Sequence, residues 1–466
     1  MSSPLVPPHQ PGRRQVLRAG LGLAASGLAG HTLLASAQTA SVNLSLSAQI
    51  TFDDTSITPL LPDPSLSGID HVVIVTMENR SFDHFLGWVP GANGRQAGLS
   101  YLDARGNPRA TFPLSADPSY GYQGCGHADP DHSYAGARMQ FNNGRCDGWL
   151  LPPDTAKTDG DLFPIGYYTE ADVPFFSGCA QNWTICDNYM PGIMAETYPN
   201  RFYLLSGETD RLVNDGTISQ LPSIFDRFNA KGIPSKYYYS DVPFTALFGT
   251  RLLANSFPYP AFLADARAGT LPALSYIDPA FAGESQGISR DDHPVSDIRN
   301  GQAFLNEIYD ALRTSPNWGS TLLVVVYDEW GGFYDHVPPI VRPVSYNEKA
   351  LGNDGRLGFR VPFALIGPRV KRRHISSRQF DPSSLHSFLM WRFGLAPLGV
   401  RSTDKATNSI AAVLDFKNPP NLAAPRFSVP VGPFGGACGA PSLPVPSITP
   451  IENIAPLAQQ LGFKVL

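Results

Sequence analysis

HVVIVTMENRSFDHFLG, residues 71–87, decides the fold. Its first seven residues form an apolar, β-branched run with no helical spacing, as expected of a strand buried on both faces. At Glu78 the character changes at once, and Glu78, Asn79, Arg80, Asp83 and His84 crowd the carboxyl end of the strand. STLLVVVYDEWGGFYDH, residues 320–336, repeats the arrangement, with Asp328 and Glu329 after the apolar run and Gly331 and Gly332 permitting a tight exit. Ligands of open α/β sheets bind outside the carboxyl ends of parallel strands. Two such ends therefore predict one sheet edge carrying Glu78, Asn79, Asp328 and Glu329. Three carboxylates and an amide are hard oxygen donors, which favour Mg²⁺, Ca²⁺ or Mn²⁺ over zinc. Each acid taken singly reads equally as a helix cap or a solvated loop charge; the pairing of two strand ends makes a divalent metal site the expectation.

Working outward, PSKYYYS (234–240), ALSYID (273–278) and PFALIG (362–367) read as further buried strands, while GQAFLNEIYDALRTSP places Phe304, Ile308 and Leu312 at helical spacing. Strands separated by helices predict an α/β fold with a mostly parallel central sheet covered by helices on both faces. The stretch from about 88 to 175 lacks a clear period and is expected to be a lid-like insertion over the site. Residues 417–450 are Pro/Gly-rich and predict an irregular arm, followed by a short helix around IENIAPLAQQLG. A single domain from residue 70 to 466, after a polar lead-in at 38–69, accounts for these parts.

Residues 1–37 stand apart. GRRQVLR precedes AGLGLAASGLAGHTLLASA, and the pair Arg13–Arg14 before a short, small-residue apolar stretch predicts a twin-arginine signal peptide with cleavage after Ala35-Ser36-Ala37. The export machinery is then a partner and the mature chain periplasmic or secreted. The other reading, a membrane-anchoring helix, fits less well because the stretch is short and glycine-rich. Removing this acid-free segment takes the formal charge from −5 to about −8, which argues against a nucleic-acid partner. Five cysteines in an exported chain allow disulfides and leave at least one thiol unpaired within the chain. Cys125 with Cys146 is the first pairing to expect.

MAETYPNRFYLLSG sets Thr197 just before Pro199 and an apolar-periodic segment, as at a helix N-terminus. Such a position favours bound phosphate and developing negative charge, although a threonine there commonly serves only as a cap. His132 in DPDHSY and His293 in DDHP, each flanked by aspartates, are candidates for handling a proton near neutral pH. Either alone also reads as a hydrogen-bonded loop histidine. Asp335 and His336 read equally as structural or catalytic, and Arg201 as a phosphate contact or a helix-stabilising pair.

Four stretches in this order, HVVIVTMENRSFDHFLG, CDNYM with ETYPNRFYLLSG, SYIDPAF with DDHPVSDIRNGQAFLNEIYDAL, and TLLVVVYDEWGGFYDHVPP, resemble the phosphoesterase family of bacteria, fungi and plants. That family contains phospholipases C of the non-haemolytic type and an acid phosphatase branch. The resemblance runs from about residue 70 to 396. It implies an alkaline-phosphatase-like fold and a metal-assisted Thr or Ser nucleophile. Carried over by motif, Glu78, Asn79, Thr197, Asp328 and Glu329 would hold the metal, Thr197 would attack phosphorus, and His132 and His293 would contact the phosphoryl group or leaving oxygen. A threonine hydroxyl needs such activation, and its attack would give a phosphothreonine intermediate.

The resemblance implies a phospholipase C acting on a phospholipid, with a phosphomonoesterase of acid phosphatase type on a small phosphate ester as the alternative. T-x-P-x-R is similar to a sulfatase signature, but Thr197 cannot be oxidised to formylglycine. A non-catalytic surface binding protein would keep fold and metal without turnover. QFDPSSLHSFLMWRFGL has Asp381-Pro382 where the family often reads Asp-His-Thr-Ser, so a histidine of that motif is missing. The chain also ends without the extra β domains of longer members, which weakens the expectation of membrane docking. RVKRRH (369–374) reads either as a peripheral contact with anionic lipid or as a solvated loop.

Overall fold

The structure, a computed structural model, describes residues 49–151, 161–439 and 449–466. The predicted export signal, the first part of the lead-in, and pieces of the insertion and arm lie outside the described residues. The main sheet has nine strands: β1 (Thr51–Phe52), β2 (His71–Met77), β3 (Thr184–Cys186), β4 (Ser235–Tyr239), β5 (Ser256–Pro258), β6 (Leu274–Asp278), β7 (Thr321–Tyr327), β8 (Phe363–Ile366) and β9 (His374–Ser376). Their order across the sheet is β1-β9-β3-β8-β7-β2-β6-β4-β5. Only β8 runs antiparallel, pairing with β7 on one side and β3 on the other. The expected mostly parallel sheet is present, with PFALIG as its one reversed strand.

Every residue of β7 is buried, so both faces of the sheet are covered at its centre. Adjacent residues of a strand point to opposite faces, and β4 shows what covers each. Tyr237 meets Phe225 of the helix Ile224–Lys231, whereas Tyr238 meets Phe262 of the helix Tyr259–Ala268. The helical spacing read at Phe304, Ile308 and Leu312 belongs to the helix Ile298–Arg313, where all three are buried. Burying a side chain of this size contributes about 1.5–3 kcal/mol, so the stripe fixes which face of the helix turns inward.

Residues 88–175 do carry local structure, including the short strands Ser100–Leu102 and Pro108–Ala110 and the helix Tyr134–Phe141. The terminal helix is Ala455–Gln460. Cys125 is bonded to Cys438 and not to Cys146, which is a buried thiol. The expected Cys125–Cys146 pairing fails because Cys125 faces the C-terminal arm, a partner 313 residues away. The basic run is also engaged by that arm: Arg369 Nη1 donates to Asn418 O (2.7 Å), and Arg372 Nη2 donates to Asn421 O (3.1 Å) while its guanidinium lies over Trp183. Among the described residues no helix is long and apolar enough to cross a membrane.

Candidate active site

Three parallel strands in succession, β7, β2 and β6, end together. Tyr327 pairs in register with Met77, so Asp328 follows beside Glu78, while Asp278 closes β6. Arg201, on the helix Thr197–Ser206, reaches all three ends: Nε to Asp328 Oδ2 (3.0 Å), Nη1 to Asp278 Oδ1 (2.9 Å) and Nη2 to Glu78 Oε1 (3.1 Å). All four side chains are buried. Arg201 is therefore the helix-stabilising pair of its two readings and not a free phosphate contact: its ion pairs lock the helix to the sheet edge. One guanidinium facing three carboxylates leaves the cluster short of positive charge. Removing one member of a buried ion cluster leaves uncompensated charge, so Arg201→Met should lower stability by about 3–5 kcal/mol. Urea denaturation reads this, and an unchanged midpoint would show that the helix docks without the cluster.

The exits from β2 and β7 are shaped by backbone. Asn79 sits in the left-handed region (φ 59°), and Gly331 packs on it so closely that a Cβ there would lie 2.2 Å from the Asn79 carbonyl oxygen. Gly332 similarly lets the chain approach Asp131, where a Cβ would come within 2.8 Å of its carbonyl oxygen. The glycine pair thus brings the DPDH loop against the strand ends. His132 Nδ1 donates to Pro130 O (2.8 Å), leaving the Nε2 lone pair 3.4 Å from Asn79 Nδ2 and 3.8 Å from Glu329 Oε1. The remaining residues of the opening stretch are scaffold. Arg80 Nε donates to Asp292 O (2.8 Å), which ties the DDH loop to β2. Asp83 is paired with Arg360 and His336.

His293 comes from the other side. Its Nδ1 donates to Pro294 O (2.5 Å), and its Nε2 lies 3.2 Å from Glu284 Oε1 and 3.7 Å from Asp129 Oδ2. The His132 and His293 rings are 6.0 Å apart, with Asp129 close to both. Thr197 lines a cavity of about 150 Å³ together with Asp129, Glu284 and His293. It is the first residue of its helix, and Glu196, not Thr197, is the cap residue. The backbone N–H of Tyr198 donates to the Asn214 side chain (2.7 Å), and the Asn214 N–H donates to Glu196 (2.6 Å). The Asn214 side chain, itself held by Glu196, thereby satisfies the helix N–H of Tyr198, and the Thr197 hydroxyl is not used as a cap.

Buried oxygens without a hydrogen-bond donor are costly and rare, yet this site gathers several. Both oxygens of Glu78 accept no hydrogen bond, since its Arg201 contact is not aligned as one; Asn79 Oδ1, Asp129 Oδ1, Glu284 Oε2 and Glu329 Oε1 are also without a donor. Burial, reinforced for Glu78 by Asp328, pushes the Glu78, Asp129, Glu284 and Glu329 carboxyls well above the usual range. Burial also raises Asp328 to about 6 and lowers His293 to about 3, keeping that imidazole neutral and able to ligate. Unsatisfied hard donors, crowded carboxylates and a neutral imidazole fit a divalent cation. Donor atoms of Glu78, Glu284 and His293 lie within 4.8 Å of one another, as do those of Asp129, His132 and His293. Asp83, Asp335 and His336 form a third such group, but Arg360 bonds both carboxylates there, so that cluster is a structural ion network.

The sequence-predicted residues Glu78, Asn79, Asp328, Glu329, His132, His293 and Thr197 all fall at this end of the sheet. Asp328 is the most committed, with Oδ1 accepting from Asn79 and Glu329 amides and Oδ2 from Arg201. Asp129, Glu284 and Asp278 were not singled out. Asp129 stands within the quoted DPDH, and Asp278 ends a strand that was read; Glu284, in a loop between Gly283 and Gly287, carried no signal of its own.

The Phosphoesterase family matches this chain over residues 69–396. Non-specific phospholipase C3 of Arabidopsis thaliana is 28% identical over 409 residues, 79% of this chain and 76% of its own length. Phospholipase C A of Mycobacterium tuberculosis is 28% identical over 428 residues, 78% of this chain and 81% of its own. Among solved structures, a protein of the alkaline phosphatase superfamily from Vibrio parahaemolyticus has 11% identity and a TM-score of 0.34, over 51% of this chain and 65% of that one. The family match spans the strand ends, the Thr197 helix and both histidine loops, so the chain belongs to the phosphoesterase family and is an enzyme that hydrolyses phosphoric esters.

Proposed function

We propose that this phosphoesterase is a metal-dependent phospholipase C, exported and working through a phosphothreonine intermediate. The observation that carries the reading is Thr197 at a helix N-terminus whose Tyr198 N–H is satisfied by the Asn214 side chain, in a cavity shared with His293, Asp129 and Glu284. Relatives named phospholipase C support the phosphodiester over the monoester.

The Thr197 oxygen attacks phosphorus, forming one P–O bond as the bond to the glycerolipid oxygen breaks. Backbone N–H groups at the helix start favour the phosphoryl negative charge. The Thr197 hydroxyl proton passes to the unprotonated Nε2 of His132 or His293, which delivers it to the departing alkoxide, a contribution of about 10²–10⁴-fold for a positioned acid–base group. Water then attacks phosphorus, the phosphorylated headgroup leaves, and Thr197 recovers its proton. Glu78, Asn79, Thr197, Asp328 and Glu329 would hold the divalent cation, with Glu284 and Asp129 as further donors. Such a cation, when bound, supplies positive charge that acidifies a hydroxyl and stabilises the phosphoryl oxygens.

The test offers purified protein a chromogenic phosphodiester and the matching phosphomonoester with defined Mg²⁺, Ca²⁺ or Mn²⁺. Faster diester turnover is expected; preference for the monoester would identify an acid phosphatase, and no turnover of either would overturn the phospholipase C reading. Export is tested separately. Changing Arg13 and Arg14 to Lys should leave unprocessed protein in the cytoplasm, because the receptor reads the arginine pair and not its charge. Normal processing of that variant would remove the twin-arginine assignment.

A further inference from the structure

The Pro/Gly-rich arm does not trail away from the enzyme; its two described parts border the active-site cavity. Besides Asp129, Glu284 and His293, the cavity beside Thr197 is lined by Cys438, Gly439, Thr449 and Pro450. At about 150 Å³ it has room for on the order of ten waters, so any part of the wall that moves changes the space offered to a ligand.

Each side of that wall is fastened. Upstream, Cys438 is bonded to Cys125 of the insertion, and its N–H donates to Gln286 O (2.8 Å). Gln123 Nε2 donates to Gly287 O (2.8 Å) and Gly436 O (2.6 Å), stitching insertion, Glu284 loop and arm together. The fit leaves no slack: Gly287 has φ 73°, and a Cβ there would lie 3.0 Å from Cys438 Sγ. Downstream, Tyr198 Oη donates to Pro450 O (3.0 Å) and Asn214 Nδ2 to Thr449 O (2.9 Å), next to Thr197. Glu452 accepts from the Gly283 N–H (2.8 Å), holding the Glu284 loop from its other end. The upstream side joins one covalent link to its hydrogen bonds, whereas the downstream side is secured by hydrogen bonds and by the buried Ile451 and Ile454.

We infer that the arm's described segments, at Cys438 and Gly439 and at Thr449 and Pro450, form a substrate-selecting wall of the phosphoester site and that the Cys125–Cys438 disulfide holds the upstream one in place. The inference rests on the phosphodiesterase reading for its substrate, but not for its conformational part. The strand ends and the Thr197 helix are positioned by the sheet and Arg201, so freeing the upstream wall should weaken substrate binding and leave the chemical step nearly intact.

The experiment compares oxidised enzyme, enzyme treated with dithiothreitol, which supplies the two electrons and two protons that convert the disulfide to two thiols, and the Cys125→Ser/Cys438→Ser variant. Alkylation and peptide mass identify which cysteines were reduced. With a small soluble chromogenic phosphodiester, KM should rise at least about fivefold while kcat changes less than about twofold. Hydrogen exchange at the amide of position 438 should speed up in both altered forms. A fall in kcat with unchanged KM would make the disulfide a support of the catalytic geometry and overturn the inference. Unchanged KM with faster exchange would also overturn it, as would unchanged exchange after reduction. Should the double variant fail to fold, the reduced wild-type enzyme decides. Should oxidised enzyme turn over no phosphodiester, the proposed function fails by itself; KM is then replaced by the Kd of inorganic phosphate, for which the same fivefold weakening supports the wall and an unchanged value overturns it.

Discussion

Thr197→Val should lower kcat per folded molecule by about 10³-fold or more, while Thr197→Ser keeps substantial activity. Valine preserves the shape of the side chain and removes the oxygen proposed to attack phosphorus; serine keeps that oxygen. A threonine that merely capped its helix would behave differently, costing about 1 kcal/mol of stability on replacement by valine with little loss of turnover in the folded fraction. The structure separates the two cases in advance, because the cap residue is Glu196 and the Tyr198 N–H is satisfied by Asn214. Stability of Thr197→Val should therefore change little, and the loss should appear in kcat alone. Acid-quenched wild-type enzyme should carry phosphate on the peptide containing ETYPNR. A Thr197→Val enzyme with near-normal kcat would end the assignment.

What made Thr197 visible in the sequence also explains what stayed hidden. β2, β4, β6, β7 and β8 were legible because a strand covered on both faces reads as an unbroken apolar run. Strands such as Thr51–Phe52, Thr184–Cys186 and His374–Ser376 were not, since two or three residues are too few to show a period. The direction of β8 was equally hidden: Phe363–Ile366 would read the same in a parallel sheet, and only its pairing with β7 and β3 reverses it. At the site, the donors that follow β2 and β7 were legible, because the carboxyl end of a strand is a predictable place, although Asp278 at the end of β6 was not singled out by the sequence. Glu284 was not legible, because its position is set by a loop clasped between Gln123, Cys438 and Glu452. The disulfide was misassigned for a related reason. Cys125 and Cys146 are near in sequence, but the arm that carries Cys438 returns across 313 residues to meet the insertion. For Arg201 the sequence left phosphate binding and helix-stabilising pairing open, and three converging carboxylates decide for pairing.

Those carboxylates give the metal prediction a sign that activity alone would not reveal. Glu78 is buried with both oxygens lacking a hydrogen-bond donor, and Asp328 and Glu284 crowd it. Replacing it by glutamine removes one negative charge from an overcharged cluster, while Arg201 keeps its bonds to Asp278 and Asp328. In chelator, Glu78→Gln should therefore be at least as stable as the wild-type protein. With metal the order should reverse. A cation that binds only the folded state stabilises it by about 2.7 kcal/mol at a hundred times its Kd, so the wild-type Tm should rise on adding Mg²⁺, Ca²⁺ or Mn²⁺. The variant, having lost a charged ligand, should show little or no rise at the same concentration and little bound metal by elemental analysis. Two outcomes would count against the cation at this edge: a variant with full metal content and a wild-type thermal shift, or a wild-type protein whose Tm no divalent cation moves. A variant destabilised in chelator would show instead that Glu78 is already compensated by Arg201, and that the unsatisfied oxygens of Asp129, Glu284 and Glu329 mark where the cation is held.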